Sequence, residues 1–76
     1  MARRQDVTIA FRASIVVDSR GRKVVTVDRF IMELLKVNHH FGPAQANEYI
    51  ARYERKWKLM DEQDNGLNTY YLFNNY

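Results

Sequence analysis

The chain has 76 residues, 12 lysines and arginines against 9 acidic residues, a net charge of +3, and no cysteine. The missing cysteines exclude disulfides and thiolate metal sites, so a single domain over 1–76 must rest on one small core or on association with a second chain. No apolar run reaches the length of a membrane span, and no signal-peptide pattern follows the opening "MARRQD", so the expectation is a soluble, free-standing, cytoplasmic protein that does not engage a membrane.

Residues 1–6 are polar and are expected to fray. From Val7 onward, Val7, Ile9, Phe11, Ala13, Ile15 and Val17 alternate with Thr8, Arg12, Ser14 and Asp18. That period of two predicts a strand with one buried face over 7–17. "DSRGRK" reads as a turn with Gly21 at its tip, and "KVVTV" as a return strand over 22–27. Val27, Phe30, Ile31, Leu34, Leu35 and Phe41 then recur at spacings of three and four, predicting a helix over 27–41. Thr26 or Asp28 can cap its start, and Gly42 is expected to end it. Pro43 opens a second helix over 43–56, with Ala46, Tyr49, Ile50, Tyr53 and Trp57 as its apolar stripe.

The closing "RKWKLMDEQDNGLNTYYLFNNY" predicts a hairpin about a type I′ turn at Asn65-Gly66. Asp64 would then face Leu67, Met60 would face Tyr71, and Leu59 would face Leu72. Tyr71 and Phe73 are expected to pack inward on the second helix. The fold class is α+β in the order ββααββ, with two helices packed on a small antiparallel sheet. A helix–turn–helix followed by a hairpin, over about residues 27 to 74, resembles part of a winged helix. It departs from that pattern in having two helices rather than three and a hairpin first. The resemblance implies DNA binding and assigns no residue a role.

No catalytic or metal signature emerges. His39 and His40 are adjacent and cannot chelate as an i,i+4 pair, and a helix C-terminus accounts for them. Ser14 and Ser19 lie in no nucleophile pattern, and Gly21, Gly42 and Gly66 form no phosphate loop. The expectation is therefore a protein that is not an enzyme and carries no cofactor and no metal.

Two basic clusters remain. One is Arg20, Arg22 and Lys23 at the first hairpin tip; the other is Arg52, Arg55, Lys56 and Lys58 around Trp57. Both can contact phosphates, and they predict a small non-enzymatic regulator that binds nucleic acid, as a homodimer. On the second helix, Gln45, Asn47 and Arg52 can reach base edges, with Glu48 among them. The tip of the closing hairpin, Asp61, Glu62 and Asp64, would repel a phosphate backbone. The alternative is a protein-binding accessory or inhibitor of phage or mobile-element type. Its partner would meet Asp61, Glu62, Asp64, Tyr70 and Tyr76.

Overall fold

A computed structural model describes residues 4–73. The fold is α+β: α1 (Arg4–Ala13), β1 (Val16–Val17), β2 (Lys23–Thr26), α2 (Val27–Leu35), α3 (Pro43–Tyr53), β3 (Trp57–Asp61) and β4 (Thr69–Leu72). The strands form one antiparallel sheet in the order β1-β2-β4-β3. The ββααββ order is present, with a helix ahead of it.

That leading helix corrects the strand expected over 7–17, of which only Val16–Val17 is extended. It also supplies the first turn for Arg4, Gln5 and Asp6, which were expected to fray; residues 1–3 lie outside the described residues. Two patterns compete in this segment. The alternation uses Val7, Ile9 and Phe11, but Val7, Ala10, Phe11 and Ser14 fit the helical spacing of three, four and seven. The helix wins because those four positions are all buried, whereas Ile9 is 55 % exposed. An eleven-residue strand would also have needed a ladder partner, and β2 provides only four residues.

With α1 in place, a third helix is present and the first hairpin no longer opens the chain. The order is helix, strands, two helices, hairpin, with β2 beside β4.

α2 starts where Thr26 accepts a hydrogen bond from the Arg29 amide at 3.2 Å, so Thr26 is the cap. It stops six residues before the expected end. Asn38 adopts φ of 63°, and the His39 amide donates to Leu34 O at 2.9 Å, closing the helix through a left-handed residue. α3 opens at Gly42, whose amide donates to Gln45 Oε1 at 3.1 Å, followed by Pro43 at the first helical position. It ends at Tyr53 rather than 56, and Trp57 begins β3.

One core joins the helices to the inner face of the sheet. Phe11, Val25, Val27, Phe30, Leu34 and Ile50 are its largest fully buried apolar residues. Phe11 sits edge-on to both Phe30 (5.4 Å) and Trp57 (5.2 Å), so α1, α2 and β3 meet at one ring. Trp57 is thus a core residue, as its stripe implied, although it reaches the core from a strand.

The closing hairpin differs from expectation in turn and register. Gly66 has φ of +80°, but Asn65 does not share it, so the turn is not type I′. The Gly66 amide donates to Gln63 O, and Asn65 Oδ1 accepts from the Leu67 amide. Trp57 pairs with Leu72, Lys58 with Tyr71 and Leu59 with Tyr70, with a bulge between Leu59 and Asp61. Trp57, Lys58 and Leu59 are thus shifted by two from the expected register, which keeps each on the same side as the same alternating set of β4 residues, whereas Asp61, past the bulge, is shifted by one.

The shift is fixed by Asn47 on α3. Its Nδ2 donates to Pro43 O (2.9 Å) and Gly66 O (2.8 Å). Its Oδ1 accepts from Asn68 Nδ2 (3.2 Å) and the Tyr70 hydroxyl (2.8 Å). Asn47 therefore does not serve as a base reader. A β-carbon at Gly66 would lie 3.0 Å from Pro43 Cβ, so this loop is seated directly on α3.

Two substitutions are expected to behave oppositely. Asn47→Ala strands several polar partners at once and should lower unfolding stability by about 2–3 kcal/mol in a urea melt. His39 is 4 % exposed, its Nδ1 has no partner among the described residues, and its Nε2 stands 3.9 Å from Asp6. His39→Leu should change stability by less than about 1 kcal/mol or raise it, because no good hydrogen bond is lost.

Candidate nucleic-acid interface

The pleat sorts the sheet residues onto two faces. Val25 and Tyr70 pair across β2 and β4 and belong to the core, with Trp57 packed against them from β3. One residue along, Val16, Val24, Tyr71 and Lys58 form a row across all four strands on the opposite, outer face. Val24 is buried yet lies outside the core cluster, as expected for a residue covered by its outer-face neighbours.

The ladder continues past the strand ends. The Asp18 amide donates to Arg22 O, and the Phe73 amide donates to Lys56 O, both at 2.8 Å. By the same alternation Arg22 and Phe73 join Tyr71 and Lys58 on the outer face, while Lys56, in the turn ahead of β3, sits at its border opposite Phe73 and also lines the groove beside Trp57. The Arg22 guanidinium lies 5.9 Å from the Tyr71 ring centre, and Lys58 Nζ lies 5.9 Å from that of Phe73. Both separations are at the outer limit of a cation–π contact.

Arg22 is held from behind by Asp18. Asp18 Oδ1 accepts from the amides of Arg22 (2.8 Å) and Arg20 (2.9 Å), and Oδ2 accepts from Arg22 Nε at 3.1 Å. The Arg22 amide holds the Asp18 carboxyl below its ordinary range against an opposing effect of burial; the Arg20 amide and the Arg22 guanidinium add to the lowering. Only Nε of the guanidinium is engaged with Asp18, and a guanidinium has four further N–H donors.

The sequence-predicted cations therefore divide. Arg22 and Lys58, one from each cluster, share the outer face, with Lys56 at its border. Arg20 is exposed at the turn. Lys23 pairs with Val17 and so projects to the other face. Arg52 lines an open groove of about 190 Å³ with Gln45, Glu48 and Tyr53. Arg55 lines a second groove, beside Trp57. Asp61, Glu62 and Asp64 are exposed at the far end of the closing hairpin, as expected.

Tyr70 is a correction. It is 9 % exposed and its hydroxyl is given to Asn47, so it is part of the core and not of a partner surface. Tyr76 lies outside the described residues. Conversely, Tyr71 and Phe73 do not pack inward: Phe73 is 65 % exposed, and both rings belong to the outer face. The sequence "TYYLF" alternates equally well either way, and only the Asn47–Tyr70 bond decides which tyrosine turns in.

No helix among the described residues is long and apolar enough to cross a membrane. No family model, no curated protein and no solved structure matches the chain.

The Asp18 geometry has a defined pH signature. A depressed folded-state pKa contributes stability that is present above the unfolded value and lost as pH falls through the folded one. Acid titration followed by amide NMR should therefore move Arg20 and Arg22 together, with a midpoint below the ordinary aspartate range. Asp18→Asn should remove that step; a midpoint at or above the ordinary range would contradict the bonding described.

Proposed function

We propose that this protein is a small non-enzymatic regulator that binds nucleic acid through the outer face of its sheet. The observation that carries the reading is the meeting of Arg22 with Lys56 and Lys58. They are more than thirty positions apart in the chain, yet they border one surface that also holds Tyr71 and Phe73. Cations interleaved with aromatic rings suit a phosphate backbone and its bases together. The +3 net charge favours the same class of partner.

The winged-helix likeness supports nucleic-acid binding in general but not the use of α3. Glu48 stands at the middle of its exposed side, between Gln45 and Arg52. The hairpin tip that a wing would present carries Asp61, Glu62 and Asp64. These charges disfavour a phosphate backbone at the places where a winged helix would meet one.

Binding is expected to weaken with salt, with log K against log salt falling at a slope of about −2 to −3 for three phosphate contacts. Reversing Lys56 and Lys58 together to glutamate should flatten that slope and cost more than tenfold in affinity, read by fluorescence anisotropy on a labelled oligonucleotide. Both lysines are exposed, so circular dichroism should show the fold retained. Binding that ignored salt, or survived the reversal, would overturn this surface assignment.

A further inference from the structure

We infer that the nucleic acid taken by the outer sheet face is single-stranded, with two consecutive bases stacked on Tyr71 and Phe73; this rests on the nucleic-acid reading above. The two rings lie two residues apart on the same face, Tyr71 on β4 and Phe73 just past its end, and so stand about 6.6 Å apart along the chain. β4 is an interior strand, with β2 on one side and β3 on the other. Rings on an interior strand cannot enter a duplex groove, which admits a projecting helix or ribbon. They can receive bases splayed from a single strand, since every base offers a π-face.

The cations are disposed to hold the backbone of such a strand. Arg22 borders Tyr71 from the β2 side, Lys58 pairs with Tyr71 and borders the Phe73 ring from β3, and Lys56, just ahead of β3, is joined to Phe73 through the backbone. The two cation–ring contacts are loose, so an incoming base competes with a weak contact and frees the cation for phosphate. Acidic groups restrict the track. Asp18 is already occupied by Arg22, while Asp61, opposite Thr69, closes the other end of the same face. The surface accordingly fits two bases, at the end of the sheet away from the acidic loop.

The test uses the whole chain and three labelled probes: a short oligothymidylate, an oligouridylate of the same length, and a mixed-sequence DNA duplex, at low salt. Expected is tighter binding to both single strands than to the duplex. Tyr71→Leu and Phe73→Leu should each cost about tenfold on the single strands, whereas Tyr71→Phe, which keeps the ring, should bind as the parent does. Phe73 is largely exposed, so Phe73→Leu reads the ring without risk to the core. The two single-stranded probes separate a DNA-binding from an RNA-binding form of the same chemistry.

Duplex binding equal to or tighter than single-strand binding, or leucine variants that bind like the parent, would overturn this inference while leaving the nucleic-acid reading standing. Failure to bind any of the three probes would overturn both.

Discussion

An asparagine side chain has two donors and two acceptor sites, and Asn47 uses all of them within the fold. It stands on α3 and holds the loop at Gly66, the side chain of Asn68 and the hydroxyl of Tyr70. The rest of the sheet follows from that. Once the Tyr70 hydroxyl is given to Asn47, Tyr70 must face the helices. The pleat then sends Tyr71 and Phe73 to the other side. The same bonds place the loop over Pro43 and set the register of β3 on β4, which puts Lys58 beside Tyr71. A single polar side chain thus determines which aromatic groups the molecule buries and which it shows. Buried networks act this way only when every member is satisfied.

The helices α2 and α3, the return strand β2 and the presence of the closing hairpin are legible in the sequence because their signals agree across levels. The Phe30–Leu34 spacing, the Thr26 cap and Pro43 each point to the same elements. α1 is not legible, because Val7 and Phe11 satisfy both a period of two and a helical spacing. Burial of Ala10 and Ser14 decides between them, and that depends on α2 and β3 being in place. The end of α2 is hidden for a different reason: Asn38 adopts the left-handed conformation that a glycine usually marks.

The outer face is the least legible part. Its cations come from two distant segments, and whether they meet depends on the sheet order. Lys23 shows how fine the distinction is: one residue from Arg22, it projects to the opposite face. The basic clusters were visible as clusters, but the surface takes one residue from the first and two from the second. Charge along this face is graded, from Arg22, Lys56 and Lys58 at one end towards Asp61 at the other. At low ionic strength such a gradient orients a polyanion as well as attracting it.

The most direct test of this account is a proton–nitrogen correlation NMR titration of the labelled protein with a short single-stranded oligonucleotide. The account predicts that amide shifts concentrate at Arg22, Val24, Lys56, Lys58, Tyr71 and Phe73, and that the exposed side of α3 around Gln45, Glu48 and Arg52 stays still. Shifts centred on α3, or a spectrum unchanged by the oligonucleotide, would contradict it.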